Sequence, residues 1–239
     1  FVFFWLQLRR IGPTHIISFT VSCNLKVLSY PFLSKIHKSV ITITGMGYLA
    51  GAKSLLGVSY KKIFGILIRR CTHICTQNKF DRERIEALVG PKQILQETMG
   101  SGVDLSVFKT INRGFDAEKL KFGFVGRLLK SKGIPLILES VNILRTRGNT
   151  NFDFHVYGIE MTGHPDAVST ASLIEADRRG YIVFHGETID PKTAIENLDV
   201  LVLVTTYAEG VPKSLLEAGA LGRLAVVSNN PGCVEVIRD

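Results

Sequence analysis

Beyond residue 120 the chain alternates short apolar runs with amphipathic stretches, and this alternation constrains its fold more than any other feature. The pattern predicts strands at Lys121–Val125, Phe152–Tyr157, Tyr181–His185, Val200–Thr205 and Leu224–Ser228, with helices between them over 133–147, 171–179, 191–197 and 213–222. A helix between two strands carries the chain back to the starting edge of the sheet. Successive strands then run parallel and both faces of the sheet are covered. The expected class is α/β with a doubly wound parallel sheet, in which ligands bind beyond the carboxyl ends of the strands.

The first half repeats the theme less regularly. A loop from Pro13 leads into a short strand ending at Phe19. Val40–Thr44 and Thr72–Thr76 read as strands, and residues 58–70 as a helix. Asn78 caps a helix running to about Val89, where Gly90-Pro91 ends it. Ser101–Asp104 reads as a turn. The polar stretch over 109–120 is the expected linker, dividing domain 1–110 from domain 111–239. Charge divides at the same place: residues 1–110 hold 15 Lys/Arg against 5 Asp/Glu (+10), and residues 111–239 hold 14 against 16 (−2). A basic first half suits an anionic membrane surface or a phosphate-bearing partner. Lys61, Lys62, Arg69 and Arg70 fall on one predicted helix among Ile63, Phe64, Ile66 and Leu67, a pattern able to rest on lipid headgroups.

Several classes are excluded. No apolar run approaches the ~20 residues of a membrane-spanning helix. Phe1–Leu6 has its positive charges behind it rather than before it, unlike a signal peptide. It reads as the end of a buried helix or strand, and the chain stops inside a helix start near Asp239, so both domains are expected to be incomplete. Four scattered cysteines (Cys23, Cys71, Cys75 and Cys233) make no disulfide framework. Cys71-Thr-His73-Ile-Cys75 lacks the spacing and fourth partner of a zinc site; buried thiols packed in a strand are expected. Gly45-Met-Gly47 starts a dinucleotide fingerprint but does not complete one. The basic half carries no recognisable nucleic-acid module with interleaved aromatics.

Two segments carry chemistry. Gly126-Arg127-Leu-Leu-Lys130-Ser-Lys132-Gly133 lies between a strand end and a helix start. Gly126 allows close backbone approach, the helix N-terminus favours anions, and Arg127 with Lys132 offers a fork donor and a point charge for a diphosphate. The second segment, Tyr207-Ala-Glu209-Gly210-Val211-Pro212-Lys213-Ser214-Leu215-Leu-Glu217-Ala218, follows the strand at 200–205. The free amides near Lys213 and Ser214 would meet a phosphate. Glu217, just over one turn into the helix, could accept ribose hydroxyls, and Glu209 in the loop could hold sugar hydroxyls.

In combination these residues resemble the donor domain of the GT-B retaining glycosyltransferases of family 4. That family carries G-R-L-x-x-x-K-G, here Gly126–Gly133, and E-G-x-P-x-x-L-L-E-A, here Glu209–Ala218. The small-residue turn and strand over 219–227 and Asn230-Pro-Gly232-Cys-Val-Glu235 also match. More loosely, Thr42–Tyr48, Thr76-Gln77-Asn78-Lys-Phe-Asp81 and Gly100–Asp104 look like the acceptor domain of the subgroup that builds bacterial polyprenyl-diphosphate-linked oligosaccharides. The resemblance implies a GT-B fold of two Rossmann-like domains facing across a cleft, an acceptor-binding 1–110 and a nucleotide-sugar-binding 111–239. It implies transfer of a hexose or N-acetylhexosamine from a UDP-sugar to a lipid-linked saccharide, as in cell-surface polysaccharide, lipopolysaccharide or O-antigen assembly, by a peripheral protein on the cytoplasmic face of the inner membrane. The alternative is a non-catalytic nucleotide-sugar-binding subunit that acts with a partner chain.

The resemblance assigns catalysis to Arg127, Lys132 and Glu209. It assigns donor binding to Gly126, Gly158, Phe184, Gly210, Val211, Pro212, Lys213, Ser214, Leu215 and Glu217, and the acceptor side to Gly45, Gly47 and Tyr48. Many members have a His after the strand at 40–44; here that stretch reads Thr44-Gly45, and no catalytic His is assigned. No D-x-D pair is present, so no metal and no other cofactor is expected. The uracil is expected along Val183–Gly186, with His185 a packing or base-contact residue and Glu160 lining the same cleft.

Overall fold

Two all-parallel sheets organise the chain. The computed structural model describes residues 1–46, 55–110 and 119–237. It divides into two units, Phe1–Ser101 with Ala208–Val211, and Gly102–Tyr207 with Pro212–Asp239. Most of the expected linker, 111–118, lies outside the described residues. Residues 102–110 group with the second unit: the Thr110 hydroxyl donates to the Ala220 carbonyl at 2.9 Å, and Phe108 packs on that unit's core.

The first unit holds β1 (His15–Phe19), β2 (Lys38–Ile43), β3 (His73–Thr76) and β4 (Ile94–Glu97), in that spatial order. Its helices are α1 (Val2–Ile11), α2 (Val21–Leu28), α3 (Leu55–Ile68) and α4 (Lys79–Glu86). Leu28, Leu33, Ile41, Ile43, Phe64, Ile68, Ile74 and Ile85 are its innermost side chains. Buried Asn24 ties three elements together: it accepts from the Ser18 hydroxyl at 2.6 Å and donates to the Thr42 carbonyl at 2.9 Å. Asn78 caps α4 as expected, accepting from the Asp81 amide.

Two sequence expectations are corrected here. Phe1–Leu6 is helical but not buried: Phe3 is 75% exposed, and α1 has no buried residue. Arg69 and Arg70 fall just past the end of α3 rather than on it. Arg70 donates to the carbonyls of Leu28, Tyr30 and Pro31, and Arg69 to that of Leu88. These two guanidiniums satisfy carbonyls at the ends of neighbouring elements.

The second unit holds β5 (Leu120–Val125), β6 (Phe152–Tyr157), β7 (Val183–Gly186), β8 (Val200–Leu203) and β9 (Leu224–Val227), in the order β7-β6-β5-β8-β9. The helices are α5 (Ile134–Thr146), α6 (Thr170–Arg178), α7 (Pro191–Glu196), α8 (Lys213–Ala220) and α9 (Pro231–Val234). From β5 the chain winds one way through β6 and β7, then crosses back to β8 and β9. The strand order therefore reverses between β5 and β8, the place where doubly wound sheets bind ligands. Phe124, Leu128, Ile134, Val156, Leu173, Ile195, Leu198, Leu201 and Leu215 form the core. Gly123 is required by close packing, because a Cβ there would lie 2.5 Å from the Leu198 side chain.

Candidate active site

The loop after β5 begins at Gly126, whose φ of 155° is open to glycine. Its neighbour across the sheet is Gly158, where a Cβ would stand 2.5 Å from the Gly126 carbonyl oxygen. Two strand ends thus meet with bare backbone. Beyond Gly126, Leu128 and Leu129 are buried while Arg127 is exposed. Apolar anchors on either side leave the guanidinium free to reach a ligand.

Lys130–Lys132 forms a turn of 3₁₀ helix whose backbone is fastened on two sides. Asp166 accepts the Ser131 amide at 3.0 Å, and its hydrogen bonds with Ser131, from the side chain first and then from the backbone, hold its carboxyl below the usual range. The Ser131 carbonyl accepts from the Thr206 amide at 2.8 Å and the Thr205 hydroxyl at 3.0 Å. Lys132 is half-buried, with Nζ 5.5 Å from the Tyr207 ring centroid. Gly133, at φ 85°, closes the loop; a Cβ there would lie 2.3 Å from the Val204 carbonyl oxygen. The expected diphosphate loop is therefore locked to the end of β8.

On the β8 side, Pro212 is the N-cap of α8 and contributes no side-chain hydrogen bond to its first turn. The helix N-terminus, at Lys213 and Ser214, thus carries the partial positive charge that favours an anion. Glu217 lies one turn further on and is 6% exposed. Burial pushes its carboxyl up, and Lys213, whose Nζ is 3.6 Å away, opposes the shift. Leu215 is fully packed beneath this turn. A buried carboxylate with one exposed Lys beside it keeps acceptor capacity for hydroxyl groups.

Sequence reasoning placed Asn230 in a family pattern without a role. Its amide donates to the Thr205 carbonyl, which also accepts from the Ser228 hydroxyl at 2.7 Å. These two side chains fasten the end of β8 from the side opposite Ser131. Their signal in the sequence was only the polar run after the last strand.

On the β7 side the side chains are mostly engaged in packing. Phe184 pairs with Val156 and its ring packs against the core, so what it offers a ligand is backbone. His185 is a packing residue, stacked on Tyr157 with centroids 4.1 Å apart and paired with His155 at 2.9 Å. Glu160 has a local partner: its carboxylate accepts from the Thr170 amide and hydroxyl at 2.8 and 2.9 Å at the start of α6.

In the first unit, Glu209 and Val211 are each 9% exposed. Gly45 and Gly210 meet backbone to backbone, since a Cβ on Gly45 would lie 2.6 Å from the Gly210 nitrogen. Gly47 and Tyr48 lie outside the described residues. Cys71 takes the packing role: its thiol donates to the Ile68 carbonyl, and burial pushes it up to about 12. Among the described residues no three His, Cys, Asp or Glu side chains cluster as metal ligands.

Comparison with known proteins fits this geometry. The chain is 36% identical over 113 residues to the N,N'-diacetylbacillosaminyl-diphospho-undecaprenol alpha-1,3-N-acetylgalactosaminyltransferase of Campylobacter jejuni, a match covering 47% of this chain and 27% of that protein. It is 27% identical over 155 residues to the capsular polysaccharide biosynthesis glycosyltransferase CapH of Staphylococcus aureus, covering 64% and 41%. The matches thus cover less than half the length of either relative. Among solved structures, Anabaena HepE in complex with UDP superposes with a TM-score of 0.77 at 13% identity, over 98% of this chain and 65% of that one. S. aureus TarM superposes at 0.74 and 18% identity, over 99% and 46%. These likenesses make the fold GT-B. The family described as glycosyl transferases group 1 matches residues 119–239, just over half the chain and the whole of the loop and helix just described; the chain belongs to that family.

Proposed function

We propose that this chain is part of a glycosyltransferase that moves a hexose or N-acetylhexosamine from a UDP-sugar to a lipid-linked saccharide in cell-surface glycan assembly. The observation that carries the reading is the uncapped N-terminus of α8, followed one turn later by buried Glu217. It stands at the switch point of the sheet and within the family's own segment. The C. jejuni relative is named for an undecaprenol-linked acceptor and the S. aureus one for capsule synthesis, which supports a lipid-linked acceptor and the polysaccharide setting. HepE, which shares the fold, was crystallised with UDP.

In this reading the diphosphate lies against the 213–214 amides, Arg127 and Lys132. Charge on the leaving UDP grows toward the transition state, and fixed donors aimed at it lower the barrier. Glu217 accepts the ribose hydroxyls and Glu209 the sugar hydroxyls. Transfer proceeds with retention, without metal and without a covalent enzyme intermediate. The lipid-linked acceptor approaches with the first unit resting on an anionic membrane surface. Among the described residues, no helix is long and apolar enough to cross a membrane.

A thermal-shift screen of UDP-, GDP- and ADP-sugars on the full-length protein tests the donor assignment, because a ligand of the folded state raises the melting temperature. Stabilisation by UDP-sugars is expected, with transfer or slow hydrolysis that EDTA leaves intact. Stabilisation by GDP- or ADP-sugars alone would overturn the donor.

A further inference from the structure

We infer that Gln77 and Asn78 are positioning residues that fix the main chain of Glu209–Val211. This deepens the reading of Glu209 as a sugar-binding group and, for its catalytic consequence, rests on it. Gln77 and Asn78 directly follow β3 and are 9% and 1% exposed. Asn78 Oδ1 caps α4, accepting the Asp81 amide at 2.7 Å. Capping uses only that oxygen, and Ser, Thr or Asp would serve as well. The amide NH2 is not needed for the cap. It lies 3.2 Å from Asp81 Oδ2, 3.3 Å from the Glu209 carbonyl and 3.2 Å from the Gly210 carbonyl. Asp81 orients the amide, since its own N–H faces the Asn78 oxygen while its carboxylate faces the nitrogen.

Gln77 adds an acceptor on the next peptide: its Oε1 lies 3.4 Å from the Val211 amide. A Cβ on Gly210 would stand 2.4 Å from that same Oε1 and 2.5 Å from the Thr44 carbonyl oxygen. The bare backbone at Gly210 therefore lets the segment enter between Gln77 and the end of β2. Two side-chain amides and one glycine contact hold three consecutive residues. All of these residues belong to the first unit, although more than 130 positions separate them in sequence. Buried carbonyls left without donors are costly, so removal of the Asn78 amide releases the segment rather than leaving it in place.

The test uses the full-length protein with Asn78→Ser, which retains a capping oxygen but no NH2, and Gln77→Leu as a second variant that leaves the cap alone. Hydrogen exchange of the peptide spanning 208–212 is expected to speed up in both, with the rest of the chain as in wild type. With a UDP-sugar donor, kcat is expected to fall about tenfold while the donor KM stays within about twofold, because a loosened group costs most at the transition state. Unchanged exchange at 208–212 in both variants would overturn the positioning role whatever the activity. Faster exchange with an unchanged kcat would overturn its catalytic consequence. A wild-type protein inactive with every nucleotide sugar would overturn the proposed function instead, and exchange would still decide the positioning. If Asn78→Ser does not fold, exchange in Gln77→Leu alone decides between the two outcomes.

Discussion

Glu217 links a cost in stability to the ribose role proposed for it. Burial raises its carboxyl above the ordinary range. A carboxyl whose folded value is raised binds a proton more tightly in the folded state than in the unfolded one. The stability of the unliganded protein should then fall as pH rises from about 4.5 through the raised value. Glu217→Gln removes that dependence, so its melting temperature at neutral pH should equal or exceed that of wild type. The same change replaces the charged acceptor proposed for the ribose hydroxyls, and donor KM should rise by about tenfold, or ~1.4 kcal/mol. A donor KM equal to wild type would remove the ribose assignment. Arg127→Ala and Lys132→Ala should behave differently, lowering kcat more than they raise donor KM, since their partner charge grows in the transition state. A raised KM at unchanged kcat would confine both cations to ground-state binding. At this scale the sequence was legible where a residue's neighbours are local. The Asn78 cap could be read, and packing was one of two roles expected of His185; the burial of Glu217 was not foreseen. The bond of Glu160 to Thr170 could not be read, because Thr170 belongs to the next helix and the pairing depends on how the loop between them folds.

At the scale of elements, the loop closing onto β8 is the most constrained piece of the donor side. Gly133 combines a left-handed φ of 85° with a 2.3 Å approach of any Cβ to the Val204 carbonyl. Neither the turn nor the strand end can shift easily, since Ser131 is hydrogen-bonded to Thr205 and Thr206. Gly133→Ala should destabilise the second unit by more than ~2 kcal/mol, with strain and clash adding. Chemical denaturation would show it, and an unchanged midpoint would mean that the loop relaxes freely. The five strands of this unit were legible because they recur between amphipathic helical stretches, and β8, buried at every position, is the unbroken apolar run that central parallel strands require. Two elements of the first unit were not. α2 carries Asn24 on its buried side, where the bonds to Ser18 and Thr42 replace an apolar contact, so its periodicity is broken. β4 is an edge strand whose residues face solvent in three of four positions, which leaves no alternation to detect.

For the whole molecule, the charge split of +10 against −2 remains the broadest feature, but the structure changes which cations can use it. Arg70 is committed to three carbonyls and Arg69 to one, so two of the four cations expected on one helix are held against neighbouring elements instead. What α3 still presents is exposed Lys62 beside Ile63 and Ile66, which are 52% and 69% exposed. α1 offers a second apolar and basic surface, with Phe3 and Leu6 exposed and Arg9 and Arg10 in its last turn. Each cation near an anionic leaflet adds on the order of 1 kcal/mol, and exposed apolar side chains add to this when they enter the interface. The first unit should therefore bring the full-length protein down with vesicles rich in anionic lipid. Binding should weaken as salt shortens the screening length from about 30 Å at 0.01 M to about 8 Å at 0.15 M. Lys62→Ala with Ile63→Ser and Ile66→Ser should reduce it several-fold if α3 is the docking element. Arg69→Ala and Arg70→Ala should instead lower the melting temperature, because carbonyls of neighbouring elements lose their donors. Equal sedimentation with neutral vesicles, or none at low salt, would assign the basic half to the phosphate groups of a soluble acceptor.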